Sequence, residues 1–373
     1  MKLEPFKLER YFAAHEFTAE VLLSCSDCEP LRMSRLVEMA DAESRALWDG
    51  LALSYTEAQG HPLLRGEIAD LYEAIDPAQV LVAAPEECIY LTMHAVLRPG
   101  DHVVCMVPGY QSLYAVAQSI GCEVSMWTPQ EKDAWIFGFS ELSSLLRPTT
   151  RVIVVNSPHN PTGAVIDEET LLRVVEAAQD RSAILFSDEM YRGLEHGECA
   201  TLPSACDLYE DGVTLGGLSK AYGLPGLRLG WIATRHDAAL SRVAELKDYT
   251  TICHSAPSEI LALMALRSRQ VILEEQRTRL RSNLEVLRDF VETHSGWFAW
   301  REPRGASVSF PRLLGGRGAG ALCQRLVTEF GIMLLPSEVF DFGDEHVRIG
   351  FGRSSLTAAL ERLGRALEAI GGG

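Results

Sequence analysis

Lys220 is the residue whose setting most suggests chemistry in this sequence. Lysine is scarce in the chain, and Lys220 lies in a turn-rich segment between two apolar stretches, 213–215 and 229–233. An amine that is held in a turn and loses its hydration becomes a nucleophile toward carbonyl compounds, as a Schiff-base lysine requires. By itself this signal is weak, because most lysines are surface charges.

Two polar clusters upstream of Lys220 follow apolar stretches with the pattern of buried strands. Segment 156–163 carries two asparagines and two prolines, which fix a tight turn. Asp188 ends the second stretch, where a buried carboxylate must accept backbone hydrogen bonds or face a cation. Open α/β sheets bind ligands at the carboxyl ends of their strands. The clusters therefore predict a ligand site, although 156–163 alone is equally compatible with an ordinary loop.

Three near-continuous apolar segments predict parallel strands that are covered on both faces: 103–107, 151–156 and 183–188. Between the second and the third, Asp167 is placed to cap a helix, along which Leu171, Val174, Val175 and Ala178 recur on one face. Strand, helix and strand at this length form a βαβ unit, so we expect a mostly parallel α/β sheet.

The pattern changes beyond residue 270, where leucines at helical spacing predict a long helix rich in Arg and Glu. Shorter elements follow, with strands over 307–310, 332–335 and 347–351 and helices over 321–330 and 356–370. These elements predict a smaller α+β domain. We expect a large domain over 45–270 and a small domain built from 1–44 and 271–373.

Composition and charge exclude several classes of function. Of the 373 residues, 47% are hydrophobic and 23% are charged, as in an ordinary globular protein. The formal net charge of −17 repels nucleic-acid phosphates and anionic membranes, so we expect neither as a partner. No apolar run approaches the roughly 20 residues that span a bilayer, and no signal-peptide core follows Met1, so a cytoplasmic protein is expected. The nine cysteines lack the spacing of a disulfide framework or a zinc site, which predicts free thiols and no metal.

In their order and distances the motifs resemble those of fold-type-I pyridoxal-phosphate (PLP) enzymes, specifically the class I and II aminotransferases. They are Asn156-x-Pro158-His159-Asn160-Pro161-x-Gly163, Asp188-Glu189-x-Tyr191 and Ser219-Lys220-x-x-Gly223-x-x-Gly226-x-Arg228-x-Gly230-Trp231. The resemblance covers roughly 55–348. It implies a three-layer α/β fold around the mostly parallel sheet, PLP as cofactor, and transfer of an amino group from an amino acid to a 2-oxo acid.

The resemblance also implies roles for individual residues around PLP. Lys220 would form the Schiff base and later move a proton between the substrate's Cα and the cofactor. Asp188 would keep the pyridine nitrogen protonated, so that the ring accepts the electrons released at Cα. Asn160 and Tyr191 would hold the phenolate oxygen, and Tyr110 would stack on the ring.

Three further residues have implied partners at the ends of the site. Arg228 would bind the phosphate through its planar guanidinium, although a surface salt bridge is the plainer alternative. Arg348 would bind the substrate's α-carboxylate, together with Asn160. Tyr55 resembles the tyrosine that reaches the phosphate of the neighbouring subunit, which implies a homodimer with shared active sites.

The phosphate site departs from the family pattern at two positions. Pro85, followed by Glu86, opens the helix after the first strand and has no N–H where the family donates one to the phosphate. Gly217 stands where the family commonly carries a hydroxyl. Each missing bond to a charged group costs about 1.5–3 kcal/mol if nothing replaces it. We therefore expect looser retention of PLP, offset by Arg228 and Ser219.

The motifs serve PLP in many reactions and do not choose among them. Transamination is the default, but segments 218–228 and 247–251 are similar to capreomycidine synthase, a cyclase acting on a hydroxylated arginine. That similarity implies an alternative, a PLP-dependent cyclase or lyase acting on an arginine-like amino acid. Acids in 15–17 and 26–29 would then bind the substrate's far end. An alternative of another class is a non-catalytic PLP-binding sensor, although no basic helix-turn-helix pattern precedes Tyr55.

Overall fold

The computed structural model describes residues 3–131 and 134–371. The helices are α1 (Lys7–His15), α2 (Met33–Glu38), α3 (Ala42–Asp49), α4 (Pro62–Ala69), α5 (Pro85–Val96), α6 (Ser112–Ile120), α7 (Phe139–Leu145), α8 (Glu168–Gln179), α9 (Ala205–Leu208), α10 (Asp237–Lys247), α11 (Ala256–Arg267), α12 (Arg269–Thr293), α13 (Ala319–Phe330) and α14 (Leu356–Gly371). The strands are β1 (Val21–Leu22), β2 (Val80–Ala83), β3 (His102–Met106), β4 (Glu123–Trp127), β5 (Thr150–Asn156), β6 (Ile184–Asp188), β7 (Gly212–Gly217), β8 (Gly230–Thr234), β9 (Phe298–Ala299), β10 (Val308–Ser309), β11 (Arg312–Leu313), β12 (Ile332–Met333), β13 (Leu335–Pro336) and β14 (Val347–Gly350). Within these described ranges, no helix combines the length and the apolar character needed to cross a bilayer.

The predicted parallel sheet is confirmed as a seven-stranded sheet in the order β2-β8-β7-β6-β5-β3-β4. Strands β7, β6, β5, β3 and β4 run parallel to one another, whereas β8 is antiparallel to both of its neighbours. The register pairs Asn156 with Asp188, the last residues of β5 and β6. The two polar clusters found in the sequence therefore begin side by side at one edge of the sheet.

Alternate residues of each central strand enter different cores, which explains the continuous apolar runs. Val103 and Cys105 of β3 pack in the core that contains α5 and α6. Val104 and Met106, between and beyond them, pack in a second core that contains α8. The sheet is therefore buried on both faces between two layers of helices, as the sequence predicts.

Helix α8 connects β5 to β6, and the signals that predicted it are confirmed. Asp167 caps the helix, because its Oδ1 accepts a hydrogen bond from the Thr170 backbone N–H at 2.7 Å. Leu171, Val174 and Ala178 are buried on the face toward the sheet. This crossover lets β5 and β6 run in parallel, so that both strands end at the same edge of the sheet.

The C-terminal region carries a separate small sheet in the order β10-β14-β13. The N-terminal strand β1 pairs in parallel with β12, so residues near the start of the chain attach to the C-terminal region. This pairing supports the predicted division into 45–270 and 1–44 with 271–373, which stays a prediction.

The single strand predicted over 332–335 is wrong. Residues 332–333 pair with β1, whereas 335–336 pair with β14 in another sheet, and Leu334 separates them. The apolar run is continuous because both strands are buried, so periodicity does not mark the break.

Candidate active site

A cavity of about 440 Å³ opens at the carboxyl edge of the central sheet. The loops after β5, β6 and β7 line it, together with α1 and the segment that follows β1. It brings together most of the predicted site residues, namely Pro85, Glu86, Tyr110, Asn160, Asp188, Tyr191, Ser219, Lys220, Arg228 and Arg348. Tyr55 does not line the cavity, and its side chain is 87% exposed on the surface.

Asn156 organises the loop after β5 from inside the sheet edge. Its Nδ2 donates a hydrogen bond to the Asp188 backbone oxygen at 3.0 Å, which links β5 to β6. Its Oδ1 accepts a hydrogen bond from the Asn160 backbone N–H at 2.8 Å. Because the first asparagine fixes the turn, the second is held in the cavity with its side chain toward the ligand space.

Asp188 is a buried carboxyl group at the end of β6. Its Oδ1 accepts a hydrogen bond from the Met190 backbone N–H at 3.1 Å. Burial raises the pKa of the Asp188 carboxyl to about 6, while the Met190 N–H and the charge of Lys220 act in the opposite direction. A cationic ring nitrogen beside this carboxylate would favour its charged form, which suits the role predicted for Asp188.

Lys220 lies in the turn after β7, and its Nζ donates a hydrogen bond to Ser26 Oγ at 2.8 Å. Desolvation lowers the pKa of the Lys220 amine, although Asp27 opposes this shift. The uncharged amine is therefore more populated near neutral pH than that of a surface lysine, as a nucleophile requires.

Gly223 explains how the N-terminal segment can lie against the lysine turn. Its φ is +63°, and a Cβ atom there would lie 2.3 Å from the Glu29 backbone oxygen. The close approach allows the Cys28 N–H to donate to the Lys220 oxygen and the Leu31 N–H to donate to the Gly223 oxygen. The glycine of the lysine motif therefore helps to position the segment whose Ser26 and Asp27 line the cavity.

Arg348 is almost fully buried, with 1% of its surface exposed. Its Nη1 donates to Asn160 Oδ1 at 3.0 Å, and its Nη2 donates to the Ser24 oxygen at 2.6 Å. Tyr191 lies in the same cavity and donates its hydroxyl to the Ser26 oxygen at 2.9 Å. A cation held in this way can bind a carboxylate that enters the cavity.

Gly217, the last residue of β7, lies against Met190, which lines the cavity, whereas Gly217 does not. A Cβ atom at Gly217 would lie 2.8 Å from both Sδ and Cε of Met190. A serine there would therefore require the flexible end of the Met190 side chain to shift. Pro85 is the first residue of α5, and Arg228 lines the cavity at its solvent-exposed rim.

Sequence reasoning missed three residues of the site. Ser26 Oγ accepts the hydrogen bond from Lys220. Glu9 Oε1 accepts a hydrogen bond from the Tyr110 hydroxyl at 2.9 Å. Arg353 lines the cavity. No local motif marks them, because each comes from a segment distant from the lysine motif. In the sequence, only the acidic residues of the N-terminal segment suggest a role in binding the substrate.

Not all acidic residues of the N-terminal segment are available to bind a ligand in the cavity. Asp27 lies there but forms an ion pair with Arg353 Nη2 at 2.9 Å. Glu29 accepts a hydrogen bond from the Ser354 N–H at 2.6 Å and does not line the cavity. Glu16 does line it, as expected.

The chemistry of the cavity fits PLP. Lys220 supplies an amine for the aldehyde, Asp188 a carboxylate for the ring nitrogen, and Arg228 a cation for the phosphate. Two buried polar atoms of the cavity, Ser219 Oγ and Arg348 Nε, have no hydrogen-bond partner in the described part of the chain. Buried polar atoms are normally satisfied, so these two indicate a polar ligand.

Comparison with known proteins adds independent support. The sequence profile of the family described as aminotransferase class I and II matches residues 21–368. Capreomycidine synthase of Streptomyces vinaceus is 31% identical over 284 residues, which cover 74% of this chain and 72% of that protein. Arginine–pyruvate transaminase AruH of Pseudomonas aeruginosa is 29% identical over 325 residues, which cover 83% of this chain and 81% of that protein. A PLP-dependent aminotransferase structure from Streptococcus suis superposes with a TM-score of 0.92 and 32% identity over 99% of both chains.

Proposed function

The chain belongs to the class I and II aminotransferase family of PLP-dependent enzymes, and on that basis we propose that it moves the amino group of a cationic amino acid to a 2-oxo acid. The observation that carries the proposal is the convergence of Lys220, Asp188 and Arg348 in one cavity that also contains the acids Glu9 and Glu16. In this proposal Lys220, Asp188 and Arg348 serve the reaction, and the two acids select the substrate.

The chemistry that PLP supplies when bound is an electron-accepting ring for the pair left at the substrate's Cα. Lys220 would hold the cofactor through its side-chain amine and, when that amine is free, would move the proton at the substrate's Cα. Asp188 would keep a proton on the ring nitrogen, so that the ring stays electron-accepting. Arg348 binds the α-carboxylate and orients the Cα–H bond toward the lysine amine.

The remaining cavity residues hold and enclose the reactants. Asn160 and Tyr191 would hold the cofactor's phenolate oxygen, and Tyr110, which lines the same cavity, would hold its ring. Helix α1 lies across the cavity, where Phe12 excludes water from the reacting groups. The Glu9 contact to the Tyr110 hydroxyl ties α1 to the aromatic side chain beneath it.

A charge balance of the cavity supports a cationic substrate side chain. Its carboxylates belong to Glu9, Glu16, Asp27, Glu86 and Asp188, and its cations to Lys220, Arg228, Arg348 and Arg353. Asp27 pairs with Arg353, and Asp188 is assigned to the ring nitrogen. Arg228 and Arg348 are assigned to the phosphate and the α-carboxylate. Apart from Glu86, these assignments leave Glu9 and Glu16 as the carboxylates of the cavity without an assigned partner.

Glu9 and Glu16 are the carboxylates that we assign to the substrate's distal group. They lie seven residues apart on one face of the α1 segment, with Phe12 between them. Burial, and after it the neighbouring Glu9, raise the pKa of the Glu16 carboxyl, while the charges of Arg353 and Lys220 act in the opposite direction. A guanidinium or ammonium group between the two acids would relieve their repulsion.

The name of one relative points to the same substrate class. It is an arginine–pyruvate transaminase, which supports arginine as the amino donor and a small 2-oxo acid as the acceptor. Incubation with arginine, with and without pyruvate, followed by mass spectrometry of the products, tests the reaction. We expect conversion of arginine to its 2-oxo acid only when the acceptor is present.

Turnover of arginine or a hydroxylated arginine without any acceptor would favour the second candidate, a PLP-dependent cyclase or lyase. The observation in its favour is the 31% identity to capreomycidine synthase. The same product analysis separates the candidates, because ring closure retains the amino nitrogen in the product whereas transamination passes it to the acceptor.

Changing Glu9 and Glu16 together to glutamine is expected to lower kcat/KM for arginine about ten- to a hundredfold, since two charge-assisted contacts are lost. Activity toward citrulline, which carries a neutral urea group in the same shape, should hardly change. The control is Glu20→Gln, because Glu20 pairs with Arg362 outside the cavity. An equal fall for both substrates would refute the assignment while leaving the aminotransferase function intact.

We also propose that the enzyme is a homodimer with shared active sites. Leu53, Tyr55 and Tyr249 are 88%, 87% and 90% exposed, a large apolar surface for a monomer. Lys247 joins the two loops that carry them, because its Nζ donates to the Ala58 oxygen and to the Ile252 oxygen. The surface formed by these two loops therefore contains Tyr55, the residue predicted to reach the phosphate of the neighbouring subunit.

Light scattering should give twice the chain mass, and the double variant Leu53→Asp/Tyr249→Asp should give the monomer with weakened activity, because the shared site is then incomplete. Leu172→Asp is the matched control, since Leu172 is 43% exposed elsewhere on the surface. A native monomer with full activity would contradict the proposal.

A further inference from the structure

Glu86 places a carboxyl group at the end of the cavity assigned to the cofactor's phosphate. It is the second residue of α5, and it lines the cavity together with Pro85, Ser219 and Arg228. A helix N-terminus is favourable for a phosphate, but a charged carboxylate at the same point would repel it. A carboxyl group at this position needs an explanation, because Pro85 already provides no N–H for the phosphate.

The surroundings of Glu86 are acidic on balance. Ser112 Oγ, at the start of α6, donates a hydrogen bond to Glu86 Oε2 at 3.2 Å. The carboxylates of Glu9 on α1 and Asp188 on β6 act on Glu86 electrostatically, as does the guanidinium of Arg228 before β8. The Tyr110 phenol and the Lys220 amine share the cavity. Two carboxylates and burial outweigh one exposed guanidinium, so the neutral acid is favoured.

A second observation indicates that a ligand completes this end of the cavity. Ser219 Oγ is buried, with 5% exposure, and has no hydrogen-bond partner among the described residues. Gly217 supplies no hydroxyl group, and the end of the Met190 side chain lies where a side chain at 217 would begin. The site therefore has few donors for a phosphate, and an un-ionised Glu86 would add one.

We propose that Glu86 binds the cofactor's phosphate as a protonated carboxyl group, whose O–H donates to a phosphate oxygen and replaces a donor missing at Pro85 and Gly217. The inference rests on the assignment of PLP to this cavity. Loss of the proton turns the donor into a repelling anion, so cofactor retention depends on pH.

The direction of this dependence follows from the carboxyl's ionisation. Burial raises the pKa of Glu86 to about 7, and a bound phosphate raises it further by repelling the ionised form. Glu86 is protonated below that pKa, where binding is strongest. Affinity falls by up to about tenfold per pH unit as the pH rises between the pKa of the free protein and that of the complex.

The test measures binding of pyridoxamine 5'-phosphate and of pyridoxamine to the full-length protein by quenching of tryptophan fluorescence. Neither ligand forms an imine with Lys220, and the ratio of their affinities isolates the phosphate contribution. We expect this ratio to fall about tenfold or more from about pH 6 to about pH 8 in the wild type. In Glu86→Gln the amide keeps a donor at all pH values, so the ratio should stay nearly constant and exceed the wild-type ratio at the higher pH.

Two further variants keep the test decisive. Glu87→Gln is the matched control, because Glu87 Oε1 accepts a hydrogen bond from Thr251 Oγ1 at 2.9 Å and does not line the cavity. Ser112→Ala removes a donor that favours the ionised Glu86, so the fall in the ratio should shift to higher pH. A pH-independent wild-type ratio, or a Glu86→Gln ratio that falls like the wild type's, overturns the proposal. Absence of binding by both ligands overturns it together with the cofactor assignment on which it rests.

Discussion

Lys220→Ala is expected to lower the aminotransferase rate by at least about a thousandfold, because the variant loses both the amine that binds PLP and the base that moves the Cα proton. Borohydride reduction of the wild-type enzyme with PLP, followed by peptide mass spectrometry, should show a covalent adduct on the Lys220 peptide. The variant should show no adduct there. Desolvation and the Ser26 contact prepare this amine in the folded protein.

Other lysines provide the controls for this experiment. Lys7→Ala should retain the adduct and the rate, because Lys7 is an exposed partner of Asp341. Lys247 is buried outside the cavity, where its amine donates to two backbone oxygens. Added methylamine should restore part of the rate of Lys220→Ala, since a small amine can enter the space of the missing side chain. An adduct on Lys247, or a fully active Lys220→Ala, would contradict the proposed mechanism.

Asp188→Asn is expected to lower the rate about a hundred- to a thousandfold, the effect typical of removing one preorganised charge contact. The amide keeps an oxygen for the Met190 N–H but carries no charge to hold a proton on the ring nitrogen. The decisive measurement is exchange of the Cα proton of arginine with deuterium oxide, followed by NMR without an acceptor. This half-reaction should slow as much as turnover does.

Glu189→Gln is the matched control for Asp188→Asn. Glu189 is an equally buried neighbour, but its carboxylate accepts hydrogen bonds from Ser204 Oγ at 2.6 Å and from the Ala205 N–H at 3.2 Å. Its change should lower thermal stability while leaving the exchange rate of the folded enzyme nearly intact. Unchanged exchange in Asp188→Asn would show that Asp188 does not act on the ring.

The parts of the fold predicted from the sequence are those with a local physical cause. The strands of the central sheet are continuous apolar runs because both faces are buried, and α8 carries its own cap at Asp167. The polar clusters at Asn156 and Asp188 follow strands that run in parallel, so their proximity could be inferred before the register was known.

Other features depend on contacts that no local spacing records. The run over 332–335 divides between two sheets because β1, more than 300 residues earlier, pairs with its first half. Gly217 lies against the end of the Met190 side chain, a contact between two strand ends that the spacing of the lysine motif does not show. The acids of the N-terminal segment differ in availability because Asp27 forms an ion pair with Arg353, Glu29 lies outside the cavity, and Glu16 lines it.

The amino-acid sequence alone was sufficient to predict the parallel α/β sheet, because strand burial and helix capping act over a few neighbouring residues. The roles predicted for Lys220 and Asp188 came from the resemblance of their motifs to the family. Only the tertiary structure decided that Ser26 contacts the lysine and that Glu9, Glu16 and Glu86 line one cavity. Those arrangements arise from packing between distant segments, such as the close approach of residue 29 to Gly223. The protonation state of each group then depends on its neighbours in space.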